Sequence, residues 1–175
     1  MKEQTQSANT LTLTLDTTTP EATRTIGQQL GQLLKHGQVI ALRGDLGAGK
    51  TVLTQGISAG LGVTARVTSP TFTLVNQYRT PDKRELVHID SYRLGEGNAA
   101  AEAEAATLGL EDILAEEKAI VVIEWAERVA ALLPPDHLAI HLAYGDQVAT
   151  TRHITLTATG PLSAELLKAL ADTLS

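Results

Sequence analysis

The chain of 175 residues has no cysteine, which excludes disulfides and thiolate zinc sites and allows a reducing compartment. Phe, Trp and Tyr together make up 3% of it, so the core has to be built from Leu, Ile, Val and Ala. No apolar run approaches the roughly 20 residues that span a bilayer. The opening MKEQTQSANT has none of the apolar stretch of a secretory leader. A cytoplasmic protein with no membrane partner is expected. Clustered positive charge is also missing. The formal net charge is −6, and no stretch collects more than a couple of Lys or Arg. Tight unaided binding to DNA or RNA is therefore not expected, because basic side chains supply most of such affinity. A partner that binds the nucleic acid instead is not excluded.

The length suits one domain, residues 1–175. Leu11 to Leu15 alternates Leu with Thr, the period of a strand with one buried face. Pro20 suits a helix start, Ile26, Leu30, Leu33 and Leu34 continue at helical spacing, and Gly37 is a stop. Val39 to Leu42 reads as a buried strand, and Thr51 to Leu61 as a helix with Leu53, Ile57 and Leu61 on one side. Phe72 to Tyr78 and Leu86 to Asp90 read as strands joined at Pro81-Asp82. Asn98 to Glu117 has helical composition with a break expected at Gly109, and Ala119 to Ile123 is a further buried strand. Leu138 to Leu142 and His153 to Thr157 alternate around Gly145-Asp146 as a hairpin, and Pro161 opens a last helix over Ser163 to Leu170. Strands interleaved with helices predict a three-layer α/β domain, and the hairpins predict a mixed sheet.

Between the Val39 strand and the next helix stands GDLGAGKT, Gly44 to Thr51, which completes G-x-x-x-x-G-K-[ST]. Glycines let backbone N–H groups fold inward around an anion, and the following helix adds its positive end. This predicts a three-layer P-loop NTPase-like domain that holds a nucleoside triphosphate through Asp45, Leu46, Gly47, Ala48, Gly49, Lys50, Thr51 and Val52. Lys50 is placed to reach the β- and γ-phosphates, and the Thr51 hydroxyl to ligate Mg²⁺. No N-K-x-D guanine signature occurs, so ATP is preferred over GTP.

The metal needs a carboxylate from the end of another buried strand. Glu124, directly after four apolar residues, is the better candidate for that metal contact. Asp90, which ends Leu86-Val-His-Ile-Asp90, is the candidate to hold a metal-bound water or orient the attacking one, with a strand-end Asp capping the next turn as the competing role. His88 shares its strand face, where a packed, hydrogen-bonded histidine is the simpler reading. Arg93 and Arg128 are the nearest cations for the γ-phosphate, with ordinary surface ion pairs as the competing role. Trp125 packs either by the nucleotide, against a partner or in the core. Thr68 to Leu74, with Thr71 among its hydroxyls around Pro70, suits a γ-phosphate-sensing segment or a polar loop.

GDLGAGKT, SPTFTL at Ser69 to Leu74, HIDSYR at His88 to Arg93 and IEW at Ile123 to Trp125 follow one another in this order. Together they closely resemble the TsaE family, small bacterial ATPases of tRNA threonylcarbamoyladenosine synthesis. The resemblance implies a Mg²⁺-dependent ATPase of low intrinsic activity, stimulated by TsaB and TsaD, the partners that carry out the transfer and contact tRNA. It implies that Lys50 and Thr51 bind phosphate and Mg²⁺, that Glu124 completes the metal site and that Asp90 serves hydrolysis. It also implies that Ser69 to Thr71 respond to the γ-phosphate, and that Tyr92, Arg93 and Trp125 lie near nucleotide or partner. A small-molecule P-loop kinase is the main alternative, although the most lid-like segment, Gly95 to Gly109, has no Arg or Lys. A nucleotide-binding module without turnover is a third.

Overall fold

A computed structural model describes residues 3–7, 10–94, 106, 109–115, 118–145 and 150–175. Strand β1 (Glu3–Ser7) pairs with β2 (Thr10–Thr17), and helix α1 (Pro20–Leu33) follows. The Thr19 hydroxyl caps α1 by accepting from the Ala22 amide at 3.1 Å, with Pro20 in the first turn where no N–H is needed. Then come β3 (Val39–Arg43), α2 (Lys50–Gly60), β4 (Val75–Arg79) and β5 (Glu85–Asp90). The chain continues through α3 (Leu110–Ala115), β6 (Ala119–Glu124) and a 3₁₀ helix (Ala126–Leu132). It ends with β7 (Leu138–Tyr144), β8 (Arg152–Ala158) and α4 (Pro161–Thr173).

The strands form one eight-stranded sheet in the order β1-β2-β8-β7-β3-β6-β5-β4. The pairs β7–β3, β3–β6 and β6–β5 are parallel, and the outer pairs are antiparallel, so the sheet is mixed as expected. One face packs Leu13, Ile40, Leu42, Ile120, Val122, Ile140 and Leu156 against α1, α2 and α4. The other face packs Val39, Ala41, Val87, Ile89, Val121 and Ile123 against Leu110 of α3 and Ala126 and Val129 of the 3₁₀ helix. Three layers result, and among the described residues the second covering layer lies over the middle strands.

Helix α2, whose first residues come from the phosphate loop, is seated by an unusually close crossing with α1. A Cβ at Gly27 or Gly31 would collide with the carbonyls of Leu53 or Ile57, and one at Gly56 or Gly60 with those of Arg24 or Gln28. Each helix thus offers two glycines one turn apart, and backbone meets backbone. A helical glycine costs about 1 kcal/mol relative to alanine, and the contact it permits is what offsets that cost here.

Three elements depart from the sequence expectation. β4 begins at Val75 rather than Phe72, because the Leu74 amide turns back to the Pro70 carbonyl at 2.6 Å with Leu74 at φ 64°. Phe72 is left on the surface. β1 was not anticipated, since EQTQS has no apolar residue to mark a strand, and neither was the 3₁₀ helix. Of the expected Asn98 to Glu117 helix, Ala106 and Leu110–Ala115 are helical and Gly109 interrupts at φ 67°. The rest of that stretch, with most of its Ala/Glu-rich part, lies outside the described residues.

Candidate nucleotide site

β3 delivers the chain to the loop Gly44 to Gly49, and α2 starts at Lys50. Gly49 adopts φ 106°, closed to other residues without strain, and a Cβ at Gly44 would strike the Leu142 carbonyl of β7. Three successive carbonyls of the loop are bonded from outside it. The Tyr144 hydroxyl donates to Leu46 O at 2.7 Å, and Arg152 donates from Nη2 to Gly47 O at 3.3 Å and from Nε to Ala48 O at 3.1 Å. The Arg152 guanidinium also stacks 4.4 Å from the Tyr144 ring centroid. This brace escaped the sequence reading. Its signal was an aromatic and a cation placed as cross-strand partners at the loop end of the hairpin.

Inside the loop lies a hollow of about 360 Å³. Of the candidates read from the sequence, Leu46, Gly47, Gly49, Lys50, Thr51, Val52, Thr71, Asp90, Glu124 and Trp125 line it, joined by Ser69 and Tyr92. Asp45 and Ala48 belong to the loop but not to this wall, and the Ala48 amide bonds the Asp45 carbonyl at 3.1 Å. Arg128 is also absent from the wall. It donates to Leu94 O at 2.9 Å and lies 5.5 Å from the Tyr92 ring. Arg93 stacks on Phe72 at 4.9 Å.

Lys50 folds over the loop, donating to Gly44 O at 2.6 Å and Asp45 O at 2.9 Å, with its ammonium 3.6 Å from the Trp125 ring centroid. Two carbonyls and the Trp125 ring therefore share its three hydrogens, and an anion is gripped by exchange with one of them. Burial holds this group below the ordinary lysine range, although Glu124, Glu127, Asp90 and Asp45 pull the other way. Trp125 takes a left-handed backbone, φ 60° and ψ 38°, at a cost of about 1–2 kcal/mol for a residue with a Cβ. The buried Ser91 hydroxyl holds it there from 2.8 Å of both the Glu124 and Trp125 carbonyls.

Glu124 is 2% exposed, and its carboxylate is shared among donors. Oε2 accepts from the Thr51 hydroxyl at 2.9 Å, and Oε1 from His88 Nε2 at 2.8 Å. Two oxygens that ligate one Mg²⁺ at right angles, each about 2.0–2.1 Å from it, lie about 2.9 Å apart. The Thr51–Glu124 pair therefore fits a magnesium ion whose other ligands are phosphate and water. Among the described residues no group of three His, Cys, Asp or Glu could hold a metal unaided.

Asp90 ends β5 beside Glu124 and accepts three hydrogen bonds. Oδ2 accepts from the Ser69 hydroxyl and, at 2.9 Å, from Thr71, and Oδ1 accepts from the Tyr92 amide at 3.0 Å. Ser69 and Thr71 are themselves 2.7 Å apart. A carboxylate with these partners is placed to orient hydroxyls or a water.

The family model described as "Threonylcarbamoyl adenosine biosynthesis protein TsaE" matches residues 17–154. A Streptomyces coelicolor protein named tRNA threonylcarbamoyladenosine biosynthesis protein TsaE is 39% identical over 140 residues, 78% of this chain and 90% of its own. A Bacillus subtilis protein of the same name is 38% identical over 145 residues, 82% of this chain and 84% of its own. The crystal structure of Bacillus subtilis YdiB superposes with a TM-score of 0.79 at 30% identity, covering 97% of this chain and 100% of that one. The four segments that bear the resemblance are those that meet around the hollow, and with the matched length and shared fold they place this chain in the TsaE family.

Proposed function

We propose that this protein is the ATP-binding and ATP-hydrolysing subunit of a tRNA threonylcarbamoyladenosine-modifying assembly, acting with TsaB and TsaD partners that contact the tRNA. The observation that carries the reading is the 2.9 Å approach of the Thr51 hydroxyl to Glu124 Oε2 at the head of α2. Those two residues would hold Mg²⁺, which when bound offsets the negative charge on the β- and γ-phosphates. The loop amides and Lys50 bind the phosphate tail, the ammonium exchanging a loop carbonyl or the Trp125 ring for a phosphate oxygen. Asp90 orients Ser69 and Thr71 toward the terminal phosphate and positions the attacking water. A second hollow of about 160 Å³ shares Gly47, Gly49 and Val52 with the first and adds Pro20, Thr23 and Arg152. It gives the nucleoside a place on the other side of the loop.

A partner surface is supported by where apolar groups are exposed. Among the described residues the large exposed ones are Leu46, Phe72, Tyr92, Tyr144 and Leu162, and all but Leu162 border the loop or the Asp90 side of the hollow. Clustered apolar exposure marks contact surfaces. No described helix is long and apolar enough to cross a membrane, which suits a cytoplasmic assembly.

The test is phosphate release by the purified protein with Mg²⁺-ATP, alone and with TsaB, TsaD and tRNA. Slow release that rises strongly with the partners is expected. ADP formed only when a small metabolite is added would replace this reading with that of a kinase.

A further inference from the structure

The motif that supplies Asp90 contains a second polar residue that the proposed reaction does not use. β5 sends alternate side chains to the α2 side of the sheet, which puts His88 beside Leu86 and Asp90. His88 is fully buried. Burying an imidazole among aliphatic groups is costly unless its nitrogens are used, and here one of them is. Nε2 lies 2.8 Å from Glu124 Oε1 on the neighbouring strand, where β5 and β6 pair His88 with Val122 and Asp90 with Glu124.

The bond has a defined direction. An ionised carboxylate only accepts, so the hydrogen belongs on Nε2. Nδ1 is buried with no hydrogen-bond partner among the described residues. A bare nitrogen tolerates that position better than an orphaned N–H would. The ring therefore offers a single donor, aimed at a single oxygen. The other group near Oε1, the Thr54 hydroxyl, is 3.4 Å away and better placed on the Lys50 carbonyl at 3.0 Å. His88 is thus the main anchor of Oε1, while Oε2 is left to Thr51.

We propose that His88 is a positioning residue for the metal-binding carboxylate. Its Nε2–H fixes Oε1 and so sets the rotation of the carboxylate that turns Oε2 toward the cation position shared with Thr51. Without that anchor the glutamate still reaches the site, but its carboxylate turns freely and meets the metal poorly. The inference rests on the reading of Thr51 and Glu124 as Mg²⁺ ligands.

Calorimetric titration with ADP, in EDTA and then in Mg²⁺, measures how much the metal tightens nucleotide binding. The wild type is expected to show clear tightening. In His88→Leu the tightening should fall about tenfold or more while metal-free affinity stays within about twofold, the size of effect seen when a ligand's supporting hydrogen bond is lost. His88→Gln keeps a donor and should recover most of it. Wild-type metal coupling in a folded His88→Leu protein would overturn the proposal. Equal losses of metal-free affinity and coupling in both variants would also overturn it, as the mark of a purely structural residue. Nitrogen-15 spectra of the wild-type histidines give a check that needs no substitution. The Nε2–H form is expected at His88, and an Nδ1–H form would overturn the proposal even if the Leu variant failed to fold. A wild type whose ADP affinity ignores Mg²⁺ would instead remove the metal reading itself, and the role of His88 with it.

Discussion

Strands β3, β6 and β5 and strands β2, β8 and β7 belong to one sheet but bury their residues differently. The first group is covered on both faces, and every residue of β6 from Ala119 to Glu124 is buried. Polar groups there survive only by pairing, as His88 and Glu124 do. Among the described residues the second group is covered on one face. Leu13, Leu15, Ile154, Leu156, Ile140 and Leu142 point inward, while Thr12, Thr14, Thr155, Thr157 and His141 stay partly or fully exposed. Chemistry collects where strands are buried on both faces and end in carboxylates. The one-sided half supplies support, chiefly through Tyr144 and Arg152 holding the outer carbonyls of the phosphate loop.

Four substitutions would break or sharpen this division. Glu124→Ala in the two-faced half should have the largest effect, cutting Mg²⁺-dependent phosphate release by about a hundredfold or more while nucleotide affinity in EDTA changes little. Equal losses in both assays would make Glu124 a structural residue. Gly31→Ala, at the crossing that seats α2, should cost about 2–3 kcal/mol by overpacking and lower the melting temperature by roughly 5–10 °C. An unchanged melting curve would show that the two helices can part without penalty. Tyr144→Phe removes one hydrogen bond to the loop and should weaken ATP binding about three- to tenfold, at about 0.5–1.5 kcal/mol, with melting nearly unchanged. Unchanged affinity would confine the one-sided half to a scaffold role.

The smallest effect is expected at Asp136, where β7 begins. Partial burial would raise its carboxyl, but the Ser163 hydroxyl and the amides of Ser163 and Leu162 outweigh this and hold it below the usual aspartate range. A depressed group contributes stability above its unfolded value of 3.8, and that stability is lost as pH falls through the folded value. Asp136→Asn should therefore cost about 0.5–1 kcal/mol at pH 7 by weakening the cap of α4. The difference from wild type should shrink in melts run well below pH 4, with ATP binding unaffected at neutral pH.

What could be read from the sequence follows the same line between residue identity and spatial coincidence. The phosphate loop was readable because anion binding by backbone amides demands glycines and a lysine at fixed spacing. Glu124 and Asp90 stood out because each closes a buried strand, and the structure puts both in the wall of the hollow, where Asp90 also caps the turn at Tyr92. His88 gave only an ambiguous signal, since nothing in HIDSYR tells which strand lies alongside. The brace from Tyr144 and Arg152 depends on a hairpin folding back to a loop about a hundred positions earlier, a closeness no local pattern encodes. Gly27, Gly31, Gly56 and Gly60 acquire their role only where the two helices cross, which no pattern within one helix encodes. Phe72 misled because Phe-Thr-Leu has strand composition, whereas the Pro70 carbonyl captures the Leu74 amide first. In β1 a strand is made by pairing with β2 alone, with no hydrophobic period to announce it.

The account depends on the phosphate loop gripping a triphosphate through Lys50, and calorimetric titration of Mg²⁺-ATP into wild type and Lys50→Ala tests that grip most directly. Saturable binding by the wild type, lost in a variant that melts at about the same temperature, is the predicted result. Undiminished affinity in Lys50→Ala would contradict it.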